Sequence, residues 1–278
     1  MPSPGTIRVG ISGWTYPPWR GVWYPKGLAH RRELEFASRR LSSIEVNGSF
    51  YALQRPASWQ AWREQTPADF LFSVKAGRFI THMKKLRDVE TPLANFFASG
   101  LLALGDKLGP VLWQLPPNLG FDEARMRDFL SLLPRTTTAA AGLAAQHDER
   151  MEGRAWVTTD AERPLRHAVE VRHATFETEA FLDLLRTHDV AVVTADTAGR
   201  WPLLLEPTTD LAYVRLHGDE ELYVSGYDEA ALDRWATRVL AWQAGGADVV
   251  VYFDNDVKVR APVDAERLMA RLGLRPPA

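Results

Sequence analysis

The chain contains no cysteine. That removes disulfides, thiolate metal centres, iron–sulfur clusters and a thiol nucleophile. No stretch approaches the roughly eighteen consecutive apolar residues of a membrane span. Met1 to Gly5 show no basic segment leading into an apolar one, so no signal peptide is expected. With neither feature, the expected setting is the cytoplasm, with no membrane partner. A Gly-rich dinucleotide fingerprint is also missing, and no cofactor is expected. No internal repeat appears, and no two histidines stand at HxH or HxxxH spacing. Charge of one sign is not in excess: 33 Lys and Arg against 35 Asp and Glu leave a formal net charge of −2. A broad nucleic-acid-binding face is thereby disfavoured, while a local basic pocket stays open.

What the chain has is apolar material in short pieces. Hydrophobic residues make up 46% of 278, with ten Trp, twelve Phe and seven Tyr, enough for one large core with aromatics to spare. β-Branched runs recur with helical segments between them, the pattern of parallel βα units. Strands are expected at Ile7–Ser12, Ser43–Asn47, Phe70–Lys75, Val111–Leu115, His167–Arg172, Val190–Asp196, Leu211–His217 and Asp248–Asp254. Pro92 after Thr91 reads as a helix start and Gly109-Pro110 as its stop. Asp122 reads as the cap of a helix that sets Met126, Phe129, Leu130 and Leu133 on one face. Leu232, Trp235, Ala236, Val239 and Leu240 make a similar stripe, and Asp264 to Leu272 is expected as the last helix, stopped by Gly273. The long segment Arg135–Pro164 is expected to add an outer helix near Thr137–Arg150. Thr197–Asp210 leaves room only for a short helix around Trp201–Leu205.

Eight such units predict an α/β fold, a single (β/α)8 TIM-type barrel spanning 1–278 with its core at about 7–274. It carries a helical insertion before the fifth strand and a degenerate sixth helix. The rival architecture is a doubly wound open sheet. Its strands would be apolar throughout, whereas these turn polar at their carboxyl ends, where a β/α barrel keeps its active site.

Side chains two apart on a strand share a face. That parity aligns Glu45 with Asn47, Ser73 with Lys75, Glu170 with Arg172, Thr194 with Asp196, and Arg215 with His217. Ser12, Gln114 and Asp254 stand at matching depth on the other strands. The intervening Val46, Val74, Val171, Ala195, Leu216 and Phe253 are apolar and expected to face helices. The expected ring holds four carboxylates (Glu45, Glu170, Asp196, Asp254) and three cations (Lys75, Arg172, Arg215). A structural reading makes it a self-neutralising plug. Buried ion pairs stabilise poorly compared with packed apolar residues, so the functional reading is preferred: the charges orient and tune groups for a ligand. Trp14, Tyr16, Trp19, Trp23 and Tyr24 crowd the first loop, and Phe50-Tyr51 follow the second strand. Some of them pack the loop; a cluster beside charges also suits a stacked ring.

The ordered motifs Gly13-Trp14-Thr15-Tyr16, Trp23-Tyr24-Pro25, Glu45-Val46-Asn47 with Phe50-Tyr51, Phe72 to Lys75 and Thr81-His82 continue along the chain. They are followed by Trp113-Gln114-Leu115-Pro116-Pro117, Glu170-Val171-Arg172-His173, Tyr213 to Gly218 and Tyr252 to Asp256. In this the chain closely resembles domain-of-unknown-function family seventy-two, the YecE-like proteins, from about Ile7 to Leu274. The resemblance implies a β/α barrel and no agreed reaction. Arg215 and His217 meet the family pattern, and Arg135–Pro164 aligns least.

Three chemistries remain open. The leading one is metal-independent acid–base catalysis by Glu45, Glu170, Asp196, His217 and Asp254, because carboxylates with unequal cationic neighbours acquire different pKa values. It would serve a hydrolase, lyase or isomerase, a glycosidase-like one included. The expected ligand is a small anion with a ring, a sugar phosphate, nucleotide or nucleic-acid end. Trp14, Tyr16, Asn47, Tyr51, Lys75, His82, Gln114, Arg172, Arg215 and Asn255 would bind it. Arg172 and Arg215 offer planar donor forks, and Lys258 and Arg260 follow the last strand, where barrels often hold phosphate. The second chemistry is metal-dependent, endonuclease-like hydrolysis on His82, Glu170, Asp196, His217 and Asp254. The histidine spacing is against it, and Arg172 and Arg215 would repel a divalent cation. The third is a non-catalytic barrel that binds nucleic acid or a phosphorylated ligand. A Schiff base on Lys75 is a weaker option, Ser12 lacks a neighbouring base, and His30, His147, His167 and His188 read as structural.

Overall fold

A computed structural model describes residues 4–276, so Met1 to Ser3 of the amino-terminal stretch lie outside the described residues. Eight strands close into a parallel barrel in chain order: β1 (Ile7–Ser12), β2 (Ser43–Val46), β3 (Leu71–Lys75), β4 (Leu108–Gln114), β5 (His167–Glu170), β6 (Ala191–Asp196), β7 (Leu211–Leu216) and β8 (Asp248–Phe253). The helices are α1 (Glu33–Ser38), α2 (Gly48–Tyr51), α3 (Pro56–Gln65), α4 (Glu90–Ala98), α5 (Glu123–Ser131), α6 (Thr137–Ala144), α7 (Glu179–Thr187), α8 (Glu229–Ala244) and α9 (Arg260–Arg271). This is the (β/α)8 barrel read from the polarity of the strand ends, and no described helix is long and apolar enough to cross a membrane.

The described residues divide into two compact units, 4–45 with 66–71 and 191–276, and 46–65 with 72–190. In the first unit, β1 pairs with β2 so that Ser12 stands beside Glu45, and with β8 so that Ile11 stands beside Phe253. Arg215 lies opposite Tyr252 across β7 and β8. Its apolar interior is built from Val9, Ile11, Ile44, Val249 and Val251, with Ala261, Ala265 and Leu268 of α9, all buried. In the second unit, β4 and β5 pair with Gln114 beside Glu170. Trp113, wholly buried, contacts the rings of Phe96 and Phe129. Each such side chain contributes about 1.5–3 kcal/mol by leaving water. Trp113 Nε1 donates to His167 Nδ1 at 3.1 Å, so the proton of that imidazole sits on Nε2, which donates to the Pro134 carbonyl at 2.8 Å. Burial lowers the His167 pKa to about 3, and the ring is a neutral core group.

Four sequence expectations are corrected. The helix opened near Pro92 does not run to Gly109-Pro110. It ends after Ala98, Gly100 turns at φ 109°, and a 3-10 run follows over Leu101–Lys107. A Cβ on Gly100 would fall 2.7 Å from Pro56 Cα, so the helix stop is this glycine. Gly109 and Pro110 instead open β4, where a proline at a strand entry removes no needed donor. The outer helix is shorter than Thr137–Arg150. α6 stops at Ala144, and Asp148 caps a separate 3-10 turn over Glu149–Met151 by accepting from Arg150 N. No helix forms around Trp201–Leu205. Trp201 N is taken by Thr197 Oγ1 at 3.0 Å, the Leu204 carbonyl by Thr194 Oγ1 at 2.7 Å, and Pro202 has no N–H to give. The last helix starts at Arg260, not at Asp264, because the Asp264 carboxylate accepts from Tyr227 N and Asn255 Nδ2 and caps nothing. Strands two, four, five, seven and eight end a residue or two early, which leaves Asn47, Leu115, Arg172, His217 and Asp254 on the loops that leave them.

Candidate active site

In the first unit, five of the expected residues meet. Glu45, fully buried at the end of β2, accepts from Ser12 Oγ and Arg215 Nη2, each at 2.8 Å, through Oε1. Its Oε2 accepts from Tyr213 OH at 2.7 Å and Arg215 Nε at 3.0 Å. The carboxylate is thus held side-on by a planar fork, the strong geometry for such a pair. Arg215 is also fully buried and reaches on to Asp254 Oδ2 at 2.8 Å. Its Nη1 lies 3.3 Å from His217 Nε2. Arginine has no acceptor, so His217 Nε2 must accept and its proton belongs on Nδ1. That nitrogen lies 3.1 Å from Asp254 Oδ2, at an angle poorer than a full hydrogen bond. Tyr223, at φ 65°, sets its ring edge-on to the His217 imidazole.

Of these charged groups only Asp254 reaches water, its side chain 13% exposed against zero for Arg215 and His217. Each nitrogen of Arg215, the arginine read as a ligand fork, already has a protein partner. Two residues on, Asp256 is half-buried, and its pKa is pushed up to about 6, first by desolvation and then by the charge of Asp254. Its carbonyl accepts from Trp19 Nε1 at 3.1 Å. Trp19 is buried beneath the stacked Tyr16 ring, and Tyr16 OH donates to the Ser12 carbonyl at 2.6 Å. Gly13 permits that approach at φ 77°, since a Cβ there would meet Tyr16 OH at 3.0 Å. Trp14 gives its carbonyl to Tyr24 OH at 2.6 Å. Much of the aromatic first loop is therefore packing that fixes the backbone at Asp256.

The Asp196 carbonyl accepts from His217 N at 2.9 Å, and the carboxylate of Asp196 accepts from Tyr227 OH at 3.2 Å. Its pKa is raised, chiefly by burial, with the Tyr227 hydrogen bond working the other way. Asn255 is fully buried and turns away to donate to the Ser225 carbonyl and Asp264, which makes it a latch between loop and helix.

The second unit gathers the cations. Arg172 Nε donates to Glu170 Oε1 at 2.8 Å, with Glu170 fully buried. Lys75 Nζ sits 4.5 Å over the Phe50 ring, whose other contacts are the edges of His82 and Tyr51. His82 lies in a π-helical turn, Phe79–Met83, a form often kept at functional positions. Burial, then Arg172 and Lys75, lower its pKa to about 4, while Glu170 opposes them. The ring is neutral at pH 7, with Nδ1 at 2.9 Å from Thr81 Oγ1. Gln114 Oε1 and Asn47 Oδ1 are buried without a hydrogen-bond partner among the described residues. Buried acceptors are nearly always satisfied, so such atoms mark a place that a ligand or water completes. Tyr51 stands 70% exposed, with the Arg78 guanidinium 5.8 Å from its ring centre.

Among the described residues no group of three or more His, Asp and Glu is arranged as metal ligands. Sequence reasoning missed Asp256, Tyr213 and Tyr252. Each stands two residues from a residue it did select, or on the paired strand, so strand parity carried through one more step reaches them. Tyr252 OH and Ser43 Oγ are 2.6 Å apart beneath the Glu45 pair.

The substitution Asp256→Asn separates a tuned acid from a packing residue. A carboxyl whose folded pKa lies above its unfolded value holds its proton more tightly when folded. Stability is therefore lost as pH rises from the unfolded value, about 3.9, through about 6. The asparagine variant is expected to unfold at a higher temperature than wild type at pH 8 and at nearly the same temperature at pH 4. Equal midpoints at both pH values in thermal melts would remove Asp256 from the site.

A parallel (β/α)8 barrel with buried, hydrogen-bonded charges at its strand ends is the class these features define. The sequence profile described as "Protein of unknown function DUF72" matches residues 8–278, and the chain belongs to that family. It is 32% identical over 129 residues to UPF0759 protein YecE of Escherichia coli strain K12, which covers 46% of this chain and 44% of YecE. It is 29% identical over 116 residues to UPF0759 protein YunF of Bacillus subtilis, which covers 40% of each. The match thus spans less than half the length of these curated relatives. A DUF72 family protein from Thermotoga maritima superposes with a TM-score of 0.76 at 24% identity, covering 96% of this chain and 99% of that one. At that identity the likeness speaks for the fold alone.

Proposed function

We propose that this protein is an enzyme running metal-independent acid–base chemistry, as a hydrolase, lyase or isomerase, on a small anion that contains a ring, such as a sugar phosphate or nucleotide. The observation that carries the reading is the contrast between two carboxylates on the loop leaving β8. Asp254 is ion-paired to Arg215, while Asp256 is held near pKa 6 by burial and by its neighbour's charge. A carboxyl that keeps its proton towards neutral pH, two residues from a carboxylate held in an ion pair, is the arrangement a donor and an acceptor of protons require. Asp254 takes the base role, Asp256 the acid role, and Glu45, Arg215 and His217 position them. In the second unit, taken by itself, Lys75 and Arg172 form an anion-binding pair, and the orphan acceptors of Gln114 and Asn47 take hydroxyl donors. Asp196, its pKa also raised, is the reserve acid.

His82 reports on this anion site. An anion seated at Lys75 and Arg172 cancels the cationic field that, after burial, lowers the imidazole pKa. Its pKa is expected to rise from about 4 when a phosphate-bearing ligand saturates the protein, as followed by NMR of the ring protons. No rise with any of inorganic phosphate, glucose 6-phosphate and adenosine monophosphate would contradict the proposed anion site. For the reaction itself, a screen of phosphorylated ring compounds in the presence of a strong chelator should return turnover. Turnover that vanishes with chelator and returns with a divalent metal would favour the endonuclease-like reading instead.

A further inference from the structure

The second unit holds a cavity of about 490 Å³ that contains neither Lys75, His82, Gln114, Glu170 nor Arg172. It lies between the loops leaving β2 and β3, the flank of α4 and the turn after α6. Its apolar lip is unusual: Tyr51, Phe79 and Met83 are 70%, 43% and 66% exposed, and Phe50, Pro92 and Phe96 continue the wall inward. Single exposed apolar residues are ordinary on a protein surface, but several gathered on one rim mark a binding surface. Four cations line the same cavity against two carboxylates. Both carboxylates are occupied locally. Asp148 accepts from Asn95 Nδ2 at 3.0 Å and from Arg150 N at 3.0 Å, and Asp88 lies 3.7 Å from Lys84. Arg78 and Arg154 have no carboxylate partner among the described residues. Arg78 lies over the Tyr51 ring, and Arg154 donates only to the Arg150 carbonyl at 3.0 Å.

The backbone here is also costly. Directly after the π-helical turn, Lys85, Leu86 and Asp88 adopt φ of 49°, 67° and 49°. None is glycine, and each such residue costs on the order of 1 kcal/mol or more, a strain found mainly where surrounding structure or function demands it. The π-helical turn just before these residues carries Arg78, Phe79, Met83 and Lys84 on the cavity, while His82 of the same turn meets Phe50.

We infer that this cavity is a second ligand site, separate from the strand-end residues, that takes an anion of mononucleotide size with a flat ring. The volume lies within the roughly 300–1,000 Å³ of small-molecule sites. The ring stacks among Phe79, Tyr51 and Met83, and the guanidinium groups of Arg78 and Arg154 take the phosphate or sulfonate oxygens as charge-assisted hydrogen bonds. The inference stands independently of the acid–base reading.

Calorimetric titration of the full chain with adenosine monophosphate and with naphthalene-1-sulfonate tests it. At least one is expected to bind saturably, and adenosine, which lacks the charge, should bind on the order of tenfold more weakly. Arg78→Ala and Arg154→Ala should each weaken binding by a similar factor. Both residues are exposed, so circular dichroism melts should match wild type, and Arg154→Lys should recover part of the loss. Binding should persist in Lys75→Ala, which removes a strand-end cation. Saturable binding of neither probe overturns the inference. So does binding that, in a Lys75→Ala, Arg172→Ala background lacking the strand-end anion site, survives Arg78→Ala and Arg154→Ala, or binding that this background abolishes while the two cavity arginines are intact.

Discussion

Glu45→Ala is expected to cost about 3–5 kcal/mol of stability, among the largest single losses in this chain. The wild-type carboxylate satisfies Ser12 Oγ, Tyr213 OH and two nitrogens of Arg215, all in a buried setting. Alanine leaves a guanidinium with zero exposure to share Asp254 alone. A buried charge that loses its partner is far more destabilising than the intact pair was stabilising, because the desolvation cost stays while the attraction goes. Replacing both members, Glu45→Leu with Arg215→Met, removes the stranded guanidinium but takes the partner from Asp254, so it should recover only part of the loss. Urea unfolding midpoints measure all three. A loss below about 1 kcal/mol for the single variant would place the pair among solvent-screened ones and contradict the buried geometry.

Asp254→Asn is expected to lower kcat/KM by about 10²–10⁴-fold for whichever phosphorylated compound the screen returns, the range for removing a positioned proton-transfer group. The amide still fills the space beside Arg215 and His217 and holds no proton-accepting charge. Asp256→Asn should remove a different limb of the same profile. An acid acts while it carries its proton, so wild-type kcat/KM should fall as pH rises through about 6. The asparagine variant should lose that dependence along with most of its rate. A profile flat through pH 6 would leave Asp256 without the role proposed for it.

How much of this was legible in the sequence depends on the length scale of the signal. Strand parity is local and strict, so it found Ser12, Glu45, Arg215 and Asp254 without knowing their partners. It could not show that Arg215 spends its donors on Glu45, Asp254 and His217, because that depends on three strands meeting at one depth. The first loop was read as a candidate stacking surface. Its Trp19 and Tyr24 are core instead, and their aromaticity serves burial plus one hydrogen bond each. Helix ends were misread where two signals competed. Gly109-Pro110 looked like the stronger stop than Gly100, yet the chain turns at Gly100, with φ 109° and a backbone too close for any side chain. Asp264 had the chemistry of a cap, but Tyr227 and Asn255 claim its carboxylate from 37 and 9 residues away. The tuned pKa of Asp256 was out of reach altogether, since desolvation is a property of the packed loop and not of the residue.

The most direct test needs no substrate. Carbon-13 NMR of the aspartate carboxyls, assigned and followed across pH in wild type and in Asp254→Asn, reads the proton affinity of Asp256 itself. The account predicts an Asp256 titration near pH 6 in wild type. In the variant it should move downward, where the burial contribution persists and the neighbouring charge does not. An Asp256 carboxyl that titrates near the ordinary aspartate value of about 3.9 in wild type would contradict the claim that this loop holds a tuned acid.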